Sequence, residues 1–205
     1  MDNVHAEAYR QLPLTPDLMD WLRLFSFTKR YVCDPRVAAL SPSSKPVIGR
    51  ILKHLPLENI NTLVELGPGD GVATKQILAG LASDARVLAI ETNAVFAADL
   101  QAWGDKRLKV VLDDARRLLP CLAENNISAP DAIIASIPFT YLNKKERREL
   151  VADVKAALKP GGVMVIFHQY SPLMAPYLKE AFGKVTVEFE PLNLFPCFVM
   201  SAVKE

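Results

Sequence analysis

Cysteine is scarce and scattered. Cys33, Cys121 and Cys197 lie far apart, and no two of the three have metal-ligand spacing. That excludes a disulfide framework and reads as reduced thiols in a cytosolic protein. An excess of either charge is also lacking: 24 basic residues face 23 acidic ones, for a net charge of +1. A dedicated nucleic-acid binder carries a basic surplus, so no nucleic-acid partner is expected. No apolar run reaches the ~20 residues that span a bilayer. The stretch from Met1 to Arg10 is polar and lacks the basic start and apolar run of a secretory leader. Repeats and low-complexity tracts are missing too. These absences leave a soluble or peripherally attached protein, expected to be a monomer.

What is present is a substantial core. Half of the 205 residues are hydrophobic, which suits one α/β domain with a modest extension. Residues 1–56 read as a helical extension and residues 57–205 as the main domain. Within the extension, Pro16 to Tyr31 reads as a helix, with Asp17 and Asp20 early and Lys29 and Arg30 late, as the helix dipole favours. Its apolar residues cover more than one stripe. The proline-rich loop that follows offers Ser43 or Ser44 as the cap of a helix from Pro46 to His54.

From Asn61 onward, strands and helices alternate. Strands are expected at 62–66, 86–91, 108–112, 131–135 and 163–167. Helices are expected at 72–81, 94–103, 115–125, 144–158 and about 173–182. Two strands in succession, 185–189 and 197–202, close the chain. The alternation predicts a parallel sheet with right-handed crossovers, and the final pair predicts an antiparallel edge.

The sharpest local signal is Glu65-Leu66-Gly67-Pro68-Gly69-Asp70-Gly71, between a strand and a helix. Its glycines allow a tight turn and close approach of a ligand to the backbone. Glu91 ends the next strand, about 20 residues past the turn, where a carboxylate can accept hydrogen bonds from ribose hydroxyls. This pattern alone fits NAD as well. Three features favour S-adenosylmethionine (SAM). Glu65 would lie near a cationic amino-acid end and repel a pyrophosphate. Asp114 and Ala115 follow the third strand, facing adenine. Ser136, Ile137 and Pro138 follow the fourth, beside the transferable methyl.

Glu65 to Gly71, Glu91, Asp114 and the turn Leu158-Lys-Pro-Gly-Gly162 resemble the motif series of class I SAM-dependent methyltransferases. The resemblance implies a Rossmann-like α/β fold: a seven-stranded, mostly parallel sheet with helices on both faces and an antiparallel terminal strand. It implies SAM as cofactor, held by Glu65, Gly67, Pro68, Gly69, Gly71, Thr74, Glu91, Thr92, Asp114, Ala115, Ser136, Ile137 and Pro138. A narrower resemblance, carried by Phe25 to Arg36, Leu40 to Ser44, Phe167 to Ser171 and Leu192 to Pro196, is to bacterial soluble phospholipid N-methyltransferases. These convert phosphatidylethanolamine towards phosphatidylcholine. That resemblance adds Ser43 and Ser44 to the cofactor side. It implies a phospholipid amine acceptor and a cytoplasmic enzyme peripheral to the inner face of the cell membrane.

Tyr141, His168 and Tyr170 are the expected catalytic residues. The tyrosines would shape an acceptor pocket by cation–π contact or serve as packing, and His168 would take a proton or be structural. The basic run Lys144, Lys145, Arg147 and Arg148 reads as a solvated helix face or a headgroup patch. The helix at 16–31 reads as a lid on the cofactor pocket, or as an interfacial helix on an anionic membrane, with Trp21, Phe25 and Phe27 at headgroup level. Alternatives are a soluble small-molecule N-, O- or S-methyltransferase, an rRNA adenine methyltransferase, and a SAM-binding protein without turnover. Ser136, where the rRNA enzymes would place Asn or Asp, speaks against the second.

Overall fold

The computed structural model describes residues 43–205. The expected helix at 16–31 and Cys33 lie outside the described residues. The first element is helix α1 (Lys45–Lys53), capped by Ser44, whose side chain accepts from the Val47 amide. Of the two candidate caps, Ser44 is therefore the one used. Arg50 of α1 reaches two carboxylates, Glu188 at 2.8 Å and Glu190 at 2.6 Å. These pairs pin α1 to the far edge of the sheet.

Strand and helix then alternate: β1 (Thr62–Leu66), α2 (Val72–Gly80), β2 (Arg86–Glu91), α3 (Ala94–Gln101), β3 (Leu108–Leu112), α4 (Leu118–Glu124), β4 (Ala132–Ala135), α5 (Lys144–Ala157), β5 (Val163–Gln169), α6 (Ala175–Phe182), β6 (Thr186–Glu190) and β7 (Cys197–Val203). The seven strands form one sheet in the order β3-β2-β1-β4-β5-β7-β6. Strands β1 to β5 pair in parallel, and β7 is antiparallel to both β5 and β6. The expected sheet, with its antiparallel terminal strand, is the one observed.

The central strands are apolar runs because both their faces are covered. Alternate residues divide the core. Val64, Leu66, Ile133, Met164 and Ile166 face α4, α5 and α6. Leu63, Val87, Ile134, Val165 and Phe167 face α1 and α2. Residues 115–125 are not one helix: Ala115–Arg117 make a 3-10 turn, and Arg117, at φ −96 and ψ 25, separates it from α4. Helix α6 begins at Ala175, with Pro176 in its first turn, where the missing N–H costs no intrahelical bond. Cys121 and Cys197 are buried free thiols, and burial pushes both up to about 11.

Strand order reverses between β1 and β4. Connections leaving these strands part to opposite sides and open a crevice at their carboxyl ends. The glycine turn and Ser136 to Pro138 both emerge there.

Candidate active site

The turn after β1 bends because Gly67, Gly69 and Gly71 all take positive φ, at 74, 58 and 76 degrees. Two of the three are glycine because the chain is crowded. A Cβ on Gly67 would stand 2.6 Å from the Ser136 carbonyl oxygen, and one on Gly71 would stand 2.5 Å from Leu100 and Trp103. Gly69 differs: a Cβ there would meet nothing within 4 Å. It faces the open crevice. Its amide donates to Glu91 Oε2 at 3.0 Å, while the Asn93 amide donates to Oε1 at 2.8 Å. Two backbone donors thus fix the orientation of the Glu91 carboxylate, at the end of β2.

Glu65 is only 2% exposed and accepts a 2.7 Å hydrogen bond from the Thr74 hydroxyl. Burial raises its pKa from 4.5 to about 7, and the charges of Glu91 and Asp70 push the same way against the Thr74 bond. Three carboxyl groups around one glycine turn make a site for a cation. They disfavour the pyrophosphate of NAD. Thr74 itself is fully buried. The sequence places it among ligand contacts, and here its hydroxyl donates to Glu65.

Beyond β3, Asp114 caps the 3-10 turn by accepting the Arg116 amide at 2.8 Å. The Arg116 guanidinium donates to both its oxygens, at 3.0 and 2.7 Å, and holds its carboxyl below the usual range. An adenine amino group would share that carboxylate with Arg116. Ala115 is buried behind it, and Thr92 is exposed at the tip of β2. Leu112, which sequence reasoning missed, stands level with Glu91 in the β2–β3 register and is exposed. It presents apolar surface at this end of the crevice.

Across the switch point, Ser136 and Ile137 line a small cavity with Ser43, Phe167, His168, Gln169, Asn193 and Cys197. The neighbouring Pro138 is partly buried. Burial lowers the pKa of His168, and the Arg147 charge adds to that effect. Its Nδ1 lies 3.0 Å from the Ser171 carbonyl oxygen. A carbonyl only accepts, so Nδ1 carries the proton and Nε2 keeps a lone pair. Tyr170 has φ 72, is exposed, and its ring packs on Phe195 at 5.4 Å. Tyr141 is exposed on the turn after Pro138. It is Phe139 that packs edge-on to His168, at 5.9 Å. The structure therefore gathers His168 and Tyr170 with the β6–β7 loop, and puts Phe139 where the sequence suggests Tyr141.

Asn193 is a second residue that sequence reasoning missed. Its Oδ1 accepts the Ser44 amide at 2.9 Å, and its Nδ2 donates to the Phe195 carbonyl at 2.9 Å. It ties the start of α1 to the β6–β7 loop. Around it, Leu192 is 71% exposed and Leu194 60% exposed.

Comparison with known proteins agrees with this geometry. Ornithine lipid N-methyltransferase from Singulisphaera acidiphila is 31% identical over 173 residues, covering 82% of this chain and 90% of that protein. The chain belongs to the class I SAM-dependent methyltransferases. Two solved structures share the methyltransferase's fold. The O-methyltransferase TomG of Streptomyces achromogenes, in complex with SAM, has a TM-score of 0.66 at 15% identity, covering 99% of this chain and 97% of that one. Precorrin-6y C5,15-methyltransferase of Geobacter metallireducens has a TM-score of 0.63 at 17% identity, covering 83% and 95%. The family of ribosomal RNA adenine dimethylases matches residues 43–144. SAM is the cofactor of this methyltransferase. The open face at Gly69, the oriented Glu91 and the acidic surround of Glu65 fit its ribose and its cationic end.

Proposed function

We propose that the protein methylates the amine of a lipid headgroup, with phosphatidylethanolamine, converted towards phosphatidylcholine, as the leading acceptor and ornithine lipid as the other. The observation that carries this reading is the apolar rim of the acceptor side. Leu192, Leu194 and Tyr170 are exposed beside the cavity that holds His168. Water-exposed leucines at a site mouth suit an acyl-chain substrate better than a polar metabolite. The 31% identical relative, named for its action on a lipid amine, supports the same class.

When bound, SAM supplies an electrophilic methyl group. The protein's work is then alignment and proton handling. Glu65, Gly67, Gly69 and Glu91 would hold the cofactor. Ser136 to Pro138 would wall the acceptor. An ammonium acceptor must lose its proton, and the neutral His168, with its lone pair on Nε2, is placed to take it. The rings of Tyr170 and Phe195 would hold the methylated cation by cation–π attraction. No helix among the described residues is long and apolar enough to cross a membrane. In this reading the enzyme meets its lipid through the exposed Leu192 and Leu194 of the β6–β7 loop and through the segment 16–31.

The match to rRNA adenine dimethylases supports a second reading. It ends at residue 144, however, so it covers the cofactor half and leaves out His168 and the β6–β7 loop. The test is incubation with methyl-labelled SAM and vesicles of either lipid, beside structured RNA and polar amines. Label in lipid is expected. The double variant Leu192→Asp/Leu194→Asp should keep SAM binding and lose most lipid turnover. Label confined to RNA or to water-soluble amines would end the lipid reading.

A further inference from the structure

Helix α5 begins with a costly arrangement. Lys144, Lys145, Arg147 and Arg148 crowd its first turns. A helix N-terminus carries partial positive charge and favours acids, so four cations there work against the helix. Two of them are compensated. Lys145 pairs with Glu149 at 3.6 Å, and Arg148 with Glu180 at 3.0 Å.

Lys144 is exposed to solvent, and Arg147 is different from all three. Among the described residues its guanidinium meets no carboxylate. Its Nε donates to the Phe139 carbonyl at 3.0 Å. Its other nitrogens make long contacts of 3.5 Å with the Thr140 carbonyl and the Tyr177 hydroxyl. One short bond to a carbonyl anchors the group without neutralising it. The residue is half-buried, where a charge is screened less than at the surface. Phe139 connects it to the acceptor side: its carbonyl holds Arg147 and its ring packs on His168.

Resting on the lipid-amine reading above, we infer that Arg147 binds the anionic group of a zwitterionic acceptor, while the amine of the same headgroup sits at His168. The chemistry required is an amine with a phosphodiester or carboxylate a few bonds away. A planar guanidinium with five donors can grip either anion in a forked manner, and its weak contacts to Thr140 and Tyr177 are the ones an anion would replace. Arg147 is therefore a specificity residue: it selects zwitterionic amines over plain ones.

The test uses the full chain, methyl-labelled SAM and three acceptors in mixed detergent micelles: phosphatidylethanolamine, ornithine lipid, and a long-chain alkylamine that has no anion. Arg147→Gln should raise the acceptor KM on the zwitterionic lipids by on the order of tenfold to a hundredfold, as loss of a charged hydrogen bond does. SAM affinity should stay within about twofold, and so should turnover of the alkylamine at pH 8, where His168 is neutral with or without the Arg147 charge. The lipid whose KM moves more identifies the anion. Arg147→Lys, which keeps the charge and loses the fork, should raise the KM several-fold, and it carries the test if the Gln variant does not fold. Arg148→Gln should change nothing. Wild-type lipid turnover with KM unmoved in both Arg147 variants would overturn this inference alone. So would an equal loss on all three acceptors. Wild-type failure on both lipids, with turnover of water-soluble amines, would remove the lipid reading and this inference with it.

Discussion

Glu65→Gln should make the protein more stable at pH 8 than the wild type, and no more stable at pH 4. The Glu65 carboxyl is 2% exposed, and its pKa rises from 4.5 to about 7. The folded state therefore holds this proton more tightly than the unfolded state does. Between pH 4.5 and about 7 the folded chain binds more protons, so stability falls as pH rises through that window and levels off above it. Each unit of pKa difference corresponds to 1.36 kcal/mol, so the ionised carboxylate costs about 3 kcal/mol at pH 8. Glutamine keeps the acceptor for the Thr74 hydroxyl and removes the charge. The expected gain in melting temperature at pH 8 is on the order of 5–10 °C. A bound cation reverses the sign of the effect, because it favours the ionised form. SAM should thus bind more tightly as pH rises towards 7, with release of a proton, and Glu65→Gln should bind it more weakly with no such pH dependence. Thermal melts at pH 4 and 8, and titration calorimetry in two buffers of different ionisation enthalpy, measure both effects. A stability difference between variant and wild type that is the same at both pH values would refute the reasoning.

Three further outcomes follow from the same geometry. Gly67→Ala should fail to fold or lose SAM binding, since its Cβ would meet the Ser136 carbonyl at 2.6 Å, whereas Gly69→Ala should fold with a strain of about 1–2 kcal/mol and bind SAM less well; equal melting temperatures for the two would contradict this. Asp131→Ala should lower stability by about 2–4 kcal/mol in a urea titration, because the carboxylate accepts the Asn61 and Thr62 amides at 2.8 and 2.7 Å and pairs with Lys159; a change below about 0.5 kcal/mol would show that these bonds are replaced by water. His168→Gln should lower kcat by about a hundredfold or more and abolish the fall in rate expected of the wild type as pH drops below 6.5 through the depressed pKa of His168; an unchanged acid limb would assign that titration to another group.

Much of the fold was legible in the chain. Buried parallel strands are mostly apolar, so Thr62 to Leu66, Arg86 to Glu91 and Val163 to Phe167 stand out without any neighbour being known. The glycine turn was legible for a similar reason, since only glycine takes three positive φ angles so close together. Local spacing was a poorer guide to the aim of individual side chains. Thr74 lies one turn into α2, where it looks able to reach a ligand, but the packing of α2 on β1 turns it to Glu65. Phe139 and Tyr141 are near neighbours of one aromatic turn, and only the path of the chain sets the first on His168 and leaves the second in water.

The sequence by itself determined the alternation of strands and helices, the glycine turn and the acid at position 91, because each follows from backbone preference and from apolar period within a few residues. Tertiary structure alone decided how the acceptor side is assembled. Asn193 meets Ser44 across 149 residues of sequence. Phe139 meets His168 only because β4 and β5 lie side by side. Such contacts depend on which strand lies next to which, and no local pattern encodes that.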